Sequence, residues 1–445
     1  MGKEEYPEAA RLLGKHLDDN WLDPEALFHL GVCFMQTENT GLAYHCFKAS
    51  GEIFGGEPAV WHNIGKLHHE KQRESEAEEC FFKALKIKPA FALALEGVAM
   101  TRLNEGDPAA AISYANRALV ENPDACEART NRGMAYLFQK RWAEGWRDYK
   151  GNVNRDKNRK LFDYNGAEVW DGSPGKDLVI TCEQGIGDEI SFASCIPDVM
   201  KISKSVTIEC DGRLEKLFTR SFPPCKVHGT RYKKTIPKWR GEGPWDAKTT
   251  ISQLPEYFRN KDSDFPGTPY LVPDPEKAIQ WKALLESLGK KPKIGLTWTG
   301  GIPHTGQKRR SITLDTYEPL FKAVDAEWIS LQYKEHEVKE AEEKYGIKIH
   351  DWEWGTRVFD YDQTVALISQ LDLVISVCTT VVHVAGGVGT ECWTLVPTKP
   401  MWRYMLEGEW FPWANSVKLY RQKGKEWPTH LLAAKLREKF PGFAK

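Results

Sequence analysis

The chain has 445 residues, 41% of them hydrophobic and 28% charged, and a formal net charge of −1. Length alone suggests roughly three domains. Near-neutral charge leaves no overall basic field to draw the chain to nucleic acid or an anionic membrane. No apolar run approaches the roughly 18 residues of a membrane span. The first residues, MGKEEYPEAARLLGKHL, are charged and amphipathic, without a secretory apolar core, and the ten cysteines include no CxxC pair. Reduced thiols and a cytoplasmic location are the expectation.

From about residue 5 to 150 one register repeats every 34 residues: Gly31, Gly65, Ala99 and Gly133; Ala43, Ala77, Ala111 and Gly145; Phe47, Phe81, Ala115 and Tyr149. Small residues fall where paired helices must approach closely, large ones such as Trp61 and Phe81 fill the gaps, and Pro89 and Pro123 close two units. The pattern resembles the tetratricopeptide repeat, a helix–turn–helix unit that stacks into a solenoid with a concave face. It predicts a repeat solenoid over 1–150, able to hold a macromolecular partner. Residues 151–176 are polar and irregular and read as a linker that wraps against the next domain.

The period then changes. DLVITCEQGIGDEISF predicts a strand, a glycine turn and a helix; SVTIEC, KIGLTWTG, AEWISLQY, GIKIHDW, LDLVISVC and ECWTLVP predict further strands, alternating with helices such as PEKAIQWKALLESLGKK and DYDQTVALISQLD. Alternation of this kind implies parallel sheets. Two glycine turns after strands, near 185 and 300, divide the region into two Rossmann-like halves, 177–290 and 291–445.

Three clusters carry candidate chemistry. In Glu183-Gln184-Gly185-Ile186-Gly187-Asp188 the glycines let backbone amides approach a ligand, and the next helix offers its N-terminus to an anion. Asp188 is there either a helix-dipole partner or a general base. In the second cluster, Thr297-Trp298-Thr299-Gly300-Gly301 is followed by His304 and by Lys308-Arg309-Arg310-Ser311, which fits a phosphate clamp or a solvated basic loop. In the third, a buried strand ends in Cys378-Thr379-Thr380, and a helix carries His383 and Gly386. Hydroxyls and helix amides there suit a diphosphate, while a His at position 383, taken alone, is more often a packed structural residue than a phosphate donor. Asp262-Ser-Asp264 and Asp360-Tyr-Asp362 match a DxD metal pattern but read as acidic loop residues.

The ordered set EQGIGD, LTWTGG with RRS, SxxTTxxHxAGxxG, MWRY and WFPWANSVKLYRQ resembles GT-B glycosyltransferases. More closely, it resembles bacterial heptosyltransferase-like enzymes of glycosyltransferase family 9 appended to tetratricopeptide repeats, relatives of O-linked N-acetylglucosamine transferase. The resemblance covers about residues 20–430 and implies an α-helical repeat solenoid followed by an α/β GT-B fold. It implies a nucleotide-sugar donor held by Trp298, Gly300, His304, Arg309, Arg310, Ser311, Gln332, Thr379, Thr380, His383 and Gly386. It also implies an acceptor and phosphate loop at Gln184, Gly185 and Gly187, Asp188 as base, and neither metal nor cofactor. Cys378 departs from the acidic residue usual before the first threonine, and Thr390-Glu391 from a Lys-Pro pair.

The reading is an inverting, metal-independent glycosyltransferase acting on a hydroxyl of a protein or glycan. One alternative is a scaffold with an inactive GT-B shell, for which Cys378 speaks; donor hydrolysis separates the two. The other is a nucleic-acid-modifying enzyme, for which the basic stretch Arg231–Arg240 speaks; a salt-dependent gel shift tests it.

Overall fold

The computed structural model describes residues 5–53, 55–150, 161–231, 235–301, 306–333 and 338–445. The chain divides into two compact units, Met1–Tyr136 and Leu137–Lys445.

The first unit is helical throughout: Glu5–Asp19, Pro24–Gln36, Thr40–Ile53, Pro58–Glu70, Glu74–Ile87, Ala92–Asn104, Pro108–Glu121 and the start of Cys126–Phe138. Prolines open three of these helices, where the missing N–H costs no hydrogen bond. Asp23 caps one of them by accepting from Glu25 N and Ala26 N at 3.0 Å, and Asp107 caps another through Ala110 N. The 34-residue register has a packing cause. A Cβ on Gly65 or on Gly97 would lie 2.6 Å from the fully buried Phe81 ring, so glycines on the helices before and after Phe81's own make room for one ring. Gly31 receives Phe47 in the same way at 2.8 Å. In the next copy Ala99, Ala111, Ala115 and Ala118 are all fully buried.

The repeat register outlasts the first unit. The Trp142–Tyr149 helix, at the repeat positions of Gly145 and Tyr149, belongs to the second unit. Trp146 Nε1 donates to Arg259 O at 2.6 Å, and Trp142 Nε1 donates to Asp262 Oδ1 at 2.8 Å.

The rest of the second unit is built on two parallel sheets. The first holds β1 (Glu168–Val169), β2 (Asp177–Thr181), β3 (Ser205–Glu209), β4 (Lys226–His228) and β5 (Ala247–Thr250), in the order β1-β5-β2-β3-β4. The second holds β6 (Lys293–Thr297), β7 (Glu327–Ser330), β8 (Ile349–His350), β9 (Leu373–Val377), β10 (Cys392–Val396) and β11 (Val417–Arg421), in the order β11-β10-β9-β6-β7-β8. Every pairing between these strands is parallel, in register such as Thr297↔Ser376. Apolar runs of β6, β9 and β10 (Ile294, Leu296, Ile375, Val377, Leu395) form the second sheet's core with Trp328 and Phe321. The stretch read as linker is partly a sheet edge: β1 pairs with β5 at Glu168↔Ala247.

Both sheets reverse their winding direction once, the first between β2 and β5, the second between β6 and β9. Crevices outside the carboxyl ends of strands at such reversals are where α/β sheets bind ligands.

Candidate functional site

The loop leaving β2 at the first reversal is Cys182–Gly185, and the helix Ile186–Ala193 follows it. Its floor is a set of buried carboxyls. Glu183 accepts from Gln184 Nε2 at 2.7 Å and from the Ser252 hydroxyl, and burial raises its pKa. Glu189 is fully buried and pushed up to about 8 by desolvation, against the pull of its partner Arg231. Arg231 also donates to Gln184 O and so holds the loop. Further along, Glu209 at the end of β3 pairs with Arg240 at 2.6 Å and accepts from Tyr164 and Thr230. Both ends of the basic stretch Arg231–Arg240 are therefore committed to internal carboxylates; Tyr232, Lys233 and Lys234 lie outside the described residues.

Asp188 lies in the first turn of this helix and is half-buried. Its backbone N–H donates to Gly185 O at 2.8 Å. Its carboxylate Oδ1 forms an ion pair with Arg403 Nη2 at 3.0 Å. Gln184 is buried, Gly185 is exposed, and Gly187 is half-buried.

At the second reversal the loop leaving β6 is held from below. Gln332, 1% exposed, accepts from Trp298 N and Thr299 N at 2.7 Å in the amide orientation those donors require. Trp298 itself sits in the apolar core. Gly300 N donates to Ser311 Oγ at 3.2 Å, and a Cβ on Gly300 would lie 2.8 Å from Cys378 O, so only glycine lets this loop reach the end of β9. Arg310 Nη1 donates to the same Cys378 carbonyl at 3.3 Å and approaches Met401 Sδ at 3.4 Å. Arg309, Arg310 and Ser311 are half-buried, and His304 lies outside the described residues.

The loop leaving β9 gives Cys378, then Thr379 as the N-terminal flank of the Thr380–Val388 helix. Cys378 is 2% exposed, donates to Leu395 O at 3.6 Å, and is pushed up to about 12 by burial, so it is a neutral thiol turned into the core. Thr379 and Thr380 are half-buried at the opening. Gly386 is a packing residue here, with Ala414 Cβ 2.6 Å from where its own would be.

The two reversals meet. A Cβ on Gly187 would stand 3.0 Å from Thr380 Oγ1 and 3.5 Å from His383 Cδ2. The glycine turn of the first sheet therefore rests on the helix start of the second. His383 is 6% exposed, and burial lowers its pKa to about 4 despite nearby Asp188, so the ring is neutral at pH 7. Nε2 lies 3.5 Å from the Tyr404 hydroxyl, while Nδ1 has no partner among the described residues. With Nε2 accepting from Tyr404, the proton is assigned to Nδ1, a buried donor without an acceptor.

The structure thus gathers Gly187, Asp188, Thr380 and His383 at one place, with Arg310 close enough to act electrostatically on His383. It leaves Trp298, Gln332 and Gly386 behind the loops. Arg403 is the residue that sequence reasoning passed over: MWRY was noted as a string, with no role for its cation. Its signal is a lone arginine between two aromatics, where a buried cation needs a carboxylate partner.

Of the two DxD triplets, Asp262 accepts from Trp142 and Lys140, and Asp264 accepts from Asn260 N and Lys261 N. Asp360 caps a helix, and Asp362, 1% exposed, pairs with Arg220 at 2.6 Å.

The helical N-terminal region carries tetratricopeptide repeats: two models of that repeat match residues 58–91 and 99–145. It is followed in the sequence by a unit built on two parallel sheets. Protein FlbA of Caulobacter vibrioides is 28% identical over 421 residues, covering 89% of this chain and 70% of FlbA. A peroxisomal targeting signal receptor of Kluyveromyces lactis is 31% identical over 85 residues, 19% of this chain and 15% of the receptor. The crystal structure of MamA is 18% identical, with a TM-score of 0.31, over 34% of this chain and 87% of that one. Among the described residues no helix is long and apolar enough to cross a membrane.

Proposed function

We propose that the second unit is a GT-B glycosyltransferase that moves a sugar, with inversion, from a nucleotide-sugar donor to a hydroxyl of a protein or glycan. The observation that carries this reading is the seating of Gly187 on Thr380 and His383, which sets a carboxylate of one sheet opposite the anion-binding elements of the other. The acceptor hydroxyl gives its proton to Asp188, and its oxygen bonds to the anomeric carbon as that carbon's bond to the diphosphate breaks. The bonding pair leaves on the phosphate oxygen. Amides at the Thr380 helix start, the Thr379 and Thr380 hydroxyls, the His383 Nδ1–H and the Arg310 cation are the groups suited to that charge. Metal independence draws support from the two DxD triplets, whose carboxylates serve as caps, turns and ion pairs. The buried Cys378 thiol, bonded to Leu395 O, occupies a core position and leaves the helix start open. The repeats, as a module of a kind that binds proteins, bring the acceptor.

A thermal-shift screen with UDP-, GDP-, ADP- and dTDP-linked sugars is the first test, because a ligand of the folded state raises its Tm. One donor class should shift the wild type and be hydrolysed slowly without acceptor. Asp188→Asn should keep that shift and lose about 100-fold or more in turnover, as for a missing general base. Binding without hydrolysis in the wild type would favour the scaffold reading instead.

A further inference from the structure

Arg403 is a cation in an unusual setting. It is 4% exposed, and its guanidinium lies 4.4 Å from the Trp402 ring centre and 5.4 Å from that of Phe192. Nη2 forms an ion pair with Asp188 Oδ1 at 3.0 Å and donates to the Tyr149 hydroxyl at 3.4 Å, while Nε has no acceptor among the described residues. Tyr149 is the last residue of the helix that keeps the repeat register, and Trp146 anchors that helix on the Arg259 carbonyl. The second carboxylate oxygen, Oδ2, accepts no hydrogen bond among the described residues. A guanidinium between two rings has little freedom, and its close ion pair with the carboxylate restrains that carboxylate's position.

We infer that Arg403, braced by Tyr149, is the positioning residue for Asp188: it holds Oδ1 and so presents Oδ2 to the acceptor hydroxyl. The inference rests on the glycosyltransferase reading and adds a consequence to it. The Trp142–Tyr149 helix, a repeat element by sequence, is part of the reaction centre. Arg403 touches neither the sugar nor the proton in flight; it acts through Asp188. Misplacing a reacting group by an ångström costs up to about 100-fold in rate, so the effect belongs in kcat and not in donor affinity.

The test uses the full-length chain and hydrolysis of the nucleotide sugar giving the largest thermal shift, with water as acceptor. Arg403→Ala should lower kcat about 10- to 100-fold and leave the donor KM within about threefold. Arg403→Lys, which keeps a cation without the planar fork, should restore part of kcat. Tyr149→Phe, which removes only the bracing hydroxyl, should lower kcat by a smaller factor and serves as the decisive variant if Arg403→Ala does not fold. In an Asp188→Asn background, Arg403→Ala should add no further loss, because the two act as a unit. An additive loss, or a change in KM alone, overturns the inference while a slow Asp188→Asn leaves the base reading standing. Wild-type hydrolysis by Asp188→Asn removes the base reading itself, and the role of Arg403 with it.

Discussion

Both units use glycine to bring things close, and they bring different things. In the repeats, Gly65 and Gly97 admit the Phe81 ring, and the product is apolar packing. In the α/β unit, Gly187 and Gly300 admit Thr380 and the Cys378 carbonyl, and the product is a junction of loops around charges. Buried charge follows the same division. Glu183, Glu189, Glu209, Arg240, Arg259 and Arg403 are all nine-tenths or more buried in the second unit, while the described part of the first buries Glu74 at this level. Buried ion pairs are weak sources of stability, and shifted, desolvated carboxyls gather at functional sites. The first unit is thus organised for stacking, the second for holding charges in fixed places.

The largest effects should separate the units. Arg240→Ala strands Glu209 without its cation and should cost about 3–5 kcal/mol, with amide protection lost in β3 and β5 by hydrogen exchange and retained in residues 58–104. Phe81→Ala should cost about 3–5 kcal/mol with the opposite pattern, since a full ring leaves the space between two glycines. Equal loss of protection in both regions after either change would mean the units unfold as one, and the contrast drawn from their packing would not extend to their energetics.

A smaller effect concerns binding. Arg310→Ala should weaken nucleoside-diphosphate binding by about 1.5–3 kcal/mol for a lost charged hydrogen bond, measurable by calorimetry. Unchanged affinity would return Arg310 to the role the structure already gives it, a brace on the Cys378 carbonyl.

Of similar size is a pH effect found in both units. Burial lowers the pKa of His383 and of His62 to about 4, so the unfolded chain binds more protons than the folded one between there and the ordinary 6.5. Stability should therefore be complete above about pH 7 and fall as pH drops through 6.5 towards 4. For His383 the loss should reach about 2 kcal/mol at pH 5. His383→Gln should flatten that slope for the α/β unit and leave the His62 slope of the repeats in place, as Tm against pH for each variant would register.

Much of this was legible because periodicity is a statement about burial. The 34-residue register marked every helix pair, and apolar runs bounded by glycine marked β2, β3, β6, β7, β9 and β10. What escaped were three of the four edge strands and the inner β5, whose AKTT has no apolar run. β1, with two residues, and β4, with three, are too short to show a period, and VKLYR, now β11, alternates exposed Lys418 with buried neighbours inside a stretch noted only as a motif. In the site, the glycine turns and paired threonines showed themselves because backbone geometry restricts which residues can stand there. Arg403 and Tyr149 did not, because their meeting joins positions 254 apart and no local rule links them.

The Trp142–Tyr149 helix also limits how such a chain can change length. Repeat arrays grow by duplicating whole units, and each new copy needs only a neighbour of the same kind. A copy inserted near Pro89 or Pro123 would meet small-residue packing of the same kind, glycines against the Phe81 ring or the buried alanines of the next copy. One inserted after Tyr136 would separate the register from a helix whose aromatic face is already spoken for by Arg259, Asp262 and Arg403. Descendants of this architecture should differ in repeat number upstream of residue 126 and keep the last helix constant.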